Sequence, residues 1–167
     1  NEFAKSDFKI TLLTFKSKKF DKFTLNKSIN RVILQKNNRI NFLIYRIFNN
    51  IIFIFKLRKF LKNHECKTVL SFINATNILV IIASLGLKKK IIVSERNDIE
   101  LQNISIYKKL LRIIFYRYAS LITSNIQNSL TLMEKYVKKN KLIFLPNPIR
   151  FLKPAKDFSN NKKKIIL

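Results

Sequence analysis

The chain of 167 residues contains no tryptophan, one glycine, one cysteine, one histidine and nine acidic residues. Each scarcity excludes something. With Gly86 alone, neither a Walker phosphate loop nor a Gly-x-Gly-x-x-Gly dinucleotide turn can be built from these residues. A single cysteine rules out a disulfide framework and gives no sign of an oxidising compartment. His64 and Cys66 stand close together in the run NHEC, but a metal centre takes four ligands, or three plus water. A Cys–His nucleophile pair usually draws its members from distant parts of the sequence. The longest apolar stretch, residues 42–55 (FLIYRIFNNIIFIF), is broken by Arg46, Asn49 and Asn50. A bilayer span needs about 20 apolar residues with few charges, so a transmembrane helix is not expected.

What is present is apolar and basic. Hydrophobic residues make up 47%, including 15 Phe and 5 Tyr, enough for one compact core and unlike a disordered chain. The net charge is +25. Such a charge repels itself and points to an anionic partner, nucleic acid or membrane surface. Lys, Asn, Ile and Phe are abundant together, as an AT-rich coding sequence would give, so part of the charge is attributable to composition. The basic runs at residues 18–19, 88–90, 138–139 and 162–164 read either as solvated surface or as attraction to anionic lipid. The helix over residues 42–62, with Arg46, Lys56, Arg58, Lys59 and Lys62 beside Phe, Ile and Leu, suits a membrane interface. Nucleic acid remains possible on charge alone, without any recognisable nucleic-acid module.

Short apolar segments alternate with helical ones. Residues 8–15 and 31–34 read as strands. Residues 42–63 read as a long helix with Leu43, Ile47, Ile51, Phe55 and Leu61 on its apolar side and Asn41 as a cap. Strands follow at 68–72 (TVLSF), 90–94 (KIIVS), 121–124 (LITS) and 142–145 (LIFL). Helices are expected at 75–85, 104–119 and 126–138. Gly86 is placed to close the first of these in a left-handed conformation. The helix over 104–119 carries Tyr107, Leu110, Leu111, Ile114 and Phe115 as its apolar stripe, and that over 126–138 carries Leu130, Met133 and Val137. The alternation predicts an α/β domain: a doubly wound, mostly parallel, Rossmann-like sheet. Residues 1–5 read as the last turn of a helix, and residues 164–167 as the opening of a further strand after a polar linker. The expectation is a fragment cut at both ends.

Open parallel sheets bind ligands at the carboxyl ends of their strands. Four successive strand ends here are polar: Asn74, Thr76 and Asn77; Glu95, Arg96, Asn97 and Asp98; Asn125; and Asn147 between two prolines. Asn74 or Thr76 either caps the next helix or faces a ligand, and Asn125 has the same two readings. Asn147 either shapes a turn or lines the cleft. The run Ser94-Glu95-Arg96-Asn97-Asp98 either closes on itself as a local ion pair or forms a ligand-facing loop; the loop is the preferred reading.

These residues taken together resemble a known family. Ser71-Phe72, Thr76-Asn77, the run from Ser94 to Asp98, Phe115-Tyr116-Arg117 and Pro146-Asn147-Pro148 are similar to motifs of the N-terminal domain of glycosyltransferases of family four, with the GT-B fold. The resemblance implies retaining transfer of a sugar from a nucleotide-sugar to a glycan or lipid-linked acceptor, with no cofactor and no essential metal. It implies that residues 1–149 are the acceptor-side domain without its first strand. Residues 150–167 would be a linker and the opening strand of an absent donor-binding domain, leaving the fragment inactive by itself. It places Glu95, Arg96, Asn97, Asn74, Thr76 and Asn77 in the acceptor cleft, and Asn125 and Asn147 at the domain interface. It assigns no catalytic residue within this chain. It further implies peripheral attachment at the cytoplasmic face of the cell membrane, in polysaccharide or glycoconjugate assembly. The alternative is a basic membrane-surface or nucleic-acid binding module without catalytic activity.

Overall fold

The computed structural model describes residues 8–15, 24–34 and 43–147. The expected cap Asn41, the side chains of Leu43 and Arg46, Pro148, and the linker and strand over 150–167 lie outside these residues, as does the helical turn over 1–5.

The elements are β1 (Thr11–Thr14), β2 (Asn30–Ile33), α1 (Leu43–Asn63), β3 (Thr68–Phe72), α2 (Asn74–Ser84), β4 (Lys90–Glu95), α3 (Ile106–Phe115), β5 (Leu121–Ser124), α4 (Gln127–Met133) and β6 (Leu142–Phe144). A 3₁₀ turn, Tyr116–Tyr118, extends α3, and another, Lys139–Lys141, leads into β6. All strand pairs are parallel. Strands β3 to β6 lie side by side in chain order, and β1 with β2 forms a separate two-stranded sheet. Parallel neighbours in chain order need right-handed crossovers, and the intervening helices supply them. The α/β, Rossmann-like architecture is thus the observed one.

β4 is one of the two interior strands of the four-stranded sheet. Ile91, Val93, Ser94 and Glu95 are all buried, as expected of a strand covered on both faces. β3, at an edge of its sheet, alternates instead: Ser71 is buried while Leu70 and Phe72 are about half exposed. Helix α2 (NATNILVIIAS) fits against α1, α3 and the sheet, and it is buried along almost its whole length. Its C-terminus is closed by two devices. Gly86 follows with φ 74°, as expected. Arg58 of α1 donates from Nη1 to Ala83 O at 3.1 Å and to Leu85 O at 2.6 Å, satisfying carbonyls that the helix end leaves free.

Two apolar stripes point elsewhere than the periodicity implies. In α1 the core face is Phe53, Leu57 and Leu61, whereas Ile47, Ile51 and Phe55 are exposed. The amino half of this helix is apolar nearly all round, so spacing alone does not choose the inward face. In α3, Leu111 and Phe115 pack on the core, but Ile106, Tyr107, Leu110, Ile113 and Ile114 face outward. Arg112 is buried on the opposite side, its Nη1 donating to Gln102 Oε1 at 3.2 Å.

Helix α4 ends at Met133, earlier than expected. The backbone N–H groups of Tyr136 and Val137 both donate to Met133 O, a turn that still buries Leu130, Met133 and Val137. The β1–β2 sheet is held to the rest through α1. Phe15 stacks edge-on against Phe53, with ring centroids 4.9 Å apart, and Thr11 Oγ1 lies 3.2 Å from His64 Nε2. His64 Nδ1 accepts from Cys66 N, so the ring's remaining proton sits on Nε2 and is donated to Thr11.

Candidate functional site at the carboxyl ends of the strands

The site begins where β3 hands over to α2. Ile73 takes φ 72° and ψ 132°, which a β-branched residue rarely adopts. Its side chain is 59% exposed, so burial does not hold it there. The backbone does: Ile73 N donates to Ser94 O at 3.3 Å, and Ile73 O accepts from Asn77 N at 2.9 Å. Ile73, not Asn74 or Thr76, is the N-cap of α2, and no side chain caps it. The capping readings of Asn74 and Thr76 are thereby corrected. The positive φ turns the first helical residues inward, leaving Asn74 4% exposed and Asn77 fully buried.

Asn77 is the hub of a buried polar cluster. Its Oδ1 accepts from Ser71 Oγ at 2.8 Å. Its Nδ2 faces three acceptors: Ser94 O at 3.2 Å, Glu95 Oε1 at 3.3 Å and Tyr116 Oη at 3.2 Å. Tyr116 Oη in turn donates to Glu95 Oε1. On the other face of β4, Thr123 Oγ1 donates to Ser94 Oγ at 3.0 Å. Glu95 Oε2 and both polar atoms of the Asn74 side chain are buried without a hydrogen-bond partner. Burial pushes the Glu95 carboxyl above its ordinary range. Hydrogen bonds from Tyr116 and Asn77, the Arg112 guanidinium and the nearby Asn74 amide oppose the shift without cancelling it. Asn74 is thus close enough to affect the carboxyl but not in bonding geometry. The Tyr116 hydroxyl is raised well above its ordinary value, first by burial and then by the neighbouring Glu95 charge.

Arg96, the next residue, turns the other way. Its Nη1 donates to Asn147 Oδ1 at 3.1 Å and to Leu145 O at 3.3 Å. The end of β4 is thereby tied to the end of β6, across β5. No ion pair forms between Glu95 and Arg96 among the described residues: one is buried in the cluster and the other reaches β6. Asn97 is exposed beside Arg96. Asp98 Oδ1 accepts from Glu100 N at 2.9 Å, which folds the loop back on itself. Ser129 Oγ accepts from Ile99 N at 3.1 Å, anchoring that loop on α4.

Asn125 lies between these ends, half-buried, with its Oδ1 buried and unpartnered. It is not the helix cap: Ile126 is, and the adjacent Ser124 Oγ accepts from Ile126 N at 3.1 Å. The structure therefore gathers Asn74, Asn77 and Glu95 into a closed inner layer and Arg96, Asn97 and Asn147 into an outer one. Thr76 is half-buried at the first turn of α2 and takes no part in the hydrogen bonds of these two layers. Ser71, Tyr116 and Arg112 were not among the expected site residues. Tyr116 entered the sequence reading only within the run Phe115-Tyr116-Arg117. Among the described residues no three His, Cys, Asp or Glu side chains stand close enough to hold a metal ion. No described helix is long and apolar enough to cross a membrane.

No protein-family profile matches the chain. Over 114 residues, 68% of the chain, it is 31% identical to a curated protein of Campylobacter jejuni subsp. jejuni serotype O:2 (strain ATCC 700819 / NCTC 11168). That protein is the "GalNAc-alpha-(1->4)-GalNAc-alpha-(1->3)-diNAcBac-PP-undecaprenol alpha-1,4-N-acetyl-D-galactosaminyltransferase". The chain is similar to a glycosyltransferase. The aligned part spans 31% of that relative's length. A polar ridge at the carboxyl ends of a parallel sheet is also where an open α/β fold receives its ligands.

Proposed function

We propose that this chain forms the acceptor-facing part of a retaining glycosyltransferase. The enzyme moves a sugar from a nucleotide-sugar donor onto a glycan or lipid-linked acceptor during assembly of cell-surface polysaccharide or glycoconjugate. The observation that carries the reading is the 31% identity to a transferase in a chain whose strand ends converge through the Arg96–Asn147 bond. Family four and the GT-B fold are the finer form of the same proposal.

In this reading the outer layer meets the acceptor. Sugar hydroxyls both donate and accept, and the Asn97 amide matches them; Arg96, held by Asn147, supplies a fixed donor fork for a hydroxyl or phosphate oxygen. Asn74, Asn77 and Glu95 act from beneath by holding the β4 end in place. Asn125 and Asn147 face the donor-binding domain, which lies outside residues 1–149, with residues 150–167 leading to it. No essential metal is invoked. The membrane enters as the place where the acceptor is held, at the inner face of the cell membrane. The exposed Ile47, Phe48, Ile51 and Phe55 of α1, with Lys56, Lys59 and Lys62, support contact with an anionic surface.

The test is turnover. A protein that joins these residues to a donor-binding domain is assayed with UDP- or GDP-sugars and a lipid-linked glycan. Arg96→Ala is expected to lower kcat/KM by about tenfold to a hundredfold, mostly through KM for the acceptor. The 167-residue chain by itself is expected to transfer nothing. Transfer by the isolated chain, or an unaffected Arg96→Ala enzyme, refutes the assignment.

A further inference from the structure

The connection from β4 to α3 runs over residues 96–105 without a helix or strand of its own. Links of this kind in α/β units usually take about 2–6 residues, and longer ones tend to be functional. This one carries Arg96 and Asn97, and it is bound down along its length. Ile99 is buried, and its N–H donates to Ser129 Oγ of α4 at 3.1 Å. Glu100 Oε2 accepts from Asn128 Nδ2 at 2.8 Å. Gln102 N donates to Asp98 O at 3.0 Å, and Ile104 N to Gln102 O at 2.8 Å.

One helical turn holds both ends of the loop. Tyr116 N donates to Arg112 O, so the two residues stand at i and i+4 on the inward side of α3 and the 3₁₀ turn that extends it. Both are buried, Tyr116 completely. Tyr116 Oη donates to Glu95 Oε1, on the residue from which the loop departs. Asn77 Nδ2, from α2, backs this grip at 3.3 Å from the same oxygen. Arg112 Nη1 donates to Gln102 Oε1 at 3.2 Å, near the loop's return into α3. Leu111 and Phe115 already pack α3 onto the core, and the two polar groups are directed at the loop instead. A loop that orders only when it meets its ligand loses affinity to that ordering, whereas one ordered in advance does not.

We propose that Arg112 and Tyr116 are positioning residues: together they clasp the loop over 96–105 at Glu95 and Gln102, and so hold Arg96 and Asn97 in place for the acceptor. Neither touches the acceptor itself. The Arg96–Asn147 bond fixes the tip of one side chain, whereas the clasp fixes the backbone from which both side chains project. At position 95 the clasp works through a hydrogen bond and not through charge. Tyr116 needs an accepting oxygen there, which a glutamine supplies as well as a glutamate does. The effect on sugar transfer rests on the transferase reading; the clasp itself does not, so either can fail alone.

Amide hydrogen exchange on the 167-residue chain tests the clasp, and kinetics of the protein joined to a donor-binding domain test its use. Tyr116→Phe removes one hydroxyl and keeps the ring. It is expected to speed exchange at Ile99, Gln102 and Ile104 about tenfold while leaving the amides of β4 unchanged. In the joined protein, with a lipid-linked glycan as acceptor, it is expected to raise the acceptor KM about fivefold to tenfold and to leave kcat and the donor KM within about twofold. Glu95→Gln keeps the accepting oxygen and is expected to match the parent in both readouts. Gln102→Ala opens the other grip at a half-exposed loop position, so it serves as the test even where Tyr116→Phe does not fold. It is expected to speed exchange at Ile99 and Ile104 and to raise the acceptor KM about threefold. Loop amides and an acceptor KM that ignore both substitutions overturn the proposal. So do kcat and donor KM changing as much as the acceptor KM, which marks general damage to the fold. Glu95→Gln behaving like Tyr116→Phe overturns it as well, because charge is then the cause. A parent that transfers no sugar refutes the transferase reading, and the exchange rates still decide the clasp.

Discussion

Replacing Glu95 by Gln isolates the cost of burying a carboxylate at the end of β4. The carboxyl is fully buried, and burial raises its pKa above the ordinary 4.5 despite hydrogen bonds from Tyr116 and Asn77, the nearby Asn74 amide and the Arg112 guanidinium. The folded state then holds the Glu95 proton more tightly than the unfolded chain does. Its contribution to stability is most favourable below the unfolded value. It declines as pH rises through the window up to the raised folded value and stays reduced above it. The glutamine of the Glu95→Gln variant does not titrate. Its side-chain oxygen keeps the bonds from Tyr116 and Asn77, and its NH₂ takes the place of Oε2, which has no partner to lose. Two opposing effects remain. The variant sheds a buried charge with one unsatisfied oxygen and acquires an unsatisfied amide. A charged group costs more to leave unpaired than a neutral one, so the balance favours Gln by about 1 kcal/mol at neutral pH and above. Below about pH 4, where the parent is itself neutral, the advantage disappears. Urea unfolding of both proteins, followed by circular dichroism from about pH 4 to about pH 8, reads the difference directly. The other carboxylates and the large net charge are common to both and cancel. Parallel stability curves for parent and variant, or an advantage for Gln that shrinks as pH rises, would refute the argument.

Two further outcomes follow from the same structure. Ile73→Gly is expected to stabilise the chain by about 1 kcal/mol in thermal or urea unfolding, because glycine accepts φ 72° and the exposed isoleucine side chain has little burial to lose; destabilisation would mean that the side chain is held by something else. Leu110→Asp, on the outward face of α3, is expected to weaken sedimentation with anionic phosphatidylserine vesicles about tenfold while leaving the melting temperature unchanged. Equal vesicle binding would confine any membrane contact to α1 or to simple charge.

The strands were the most legible part of the sequence. TVLSF and LITS occur at their expected bounds, because a short apolar run between polar turns has few alternatives. Helix faces were less so. Periodicity shows that α3 has an apolar stripe, but whether the stripe looks inward depends on neighbours, and here Leu111 and Phe115 pack on the core while Leu110 and Ile114 stay outside. The early end of α4 was hidden for a related reason: Leu130, Met133 and Val137 keep helical spacing even though the last of them sits in a turn. The caps failed on chemistry. Asn74, Thr76 and Asn125 are good capping types, yet isoleucines occupy both cap positions, and Asn74 turns into the cluster instead. The run from Ser94 to Asp98 was legible as a special loop. Its division was not, because β4 continues one residue further than its apolar run and carries Glu95 inside.

The two ends of the sheet differ in how completely they are satisfied, and the difference locates the site without reference to any relative. At the amino ends, lysines tie off the main chain. Lys89 Nζ donates to His64 O at 2.8 Å and Cys66 O at 2.6 Å, and Lys141 Nζ donates to Arg117 O at 2.8 Å and Ala119 O at 2.9 Å. Part of the basic charge is therefore structural, consumed inside the fold rather than offered to a partner. At the carboxyl ends the polar groups are left unsatisfied. There lie the isoleucine at φ 72°, the unpartnered Asn74 amide, the free oxygen of Glu95 and the unpartnered Asn125 Oδ1. Each costs stability, and a simple apolar turn residue or a neutral side chain would remove the cost. Among the described residues Ser84 Oγ is a buried unpartnered atom at the amino ends, whereas Asn74, Glu95 and Asn125 gather with the strained turn at the carboxyl ends, and such a concentration is the expected signature of a surface shaped for something other than folding. The Arg96–Asn147 bond spans that same end, so the strained turn, the buried carboxyl and the exposed donors belong to one construction.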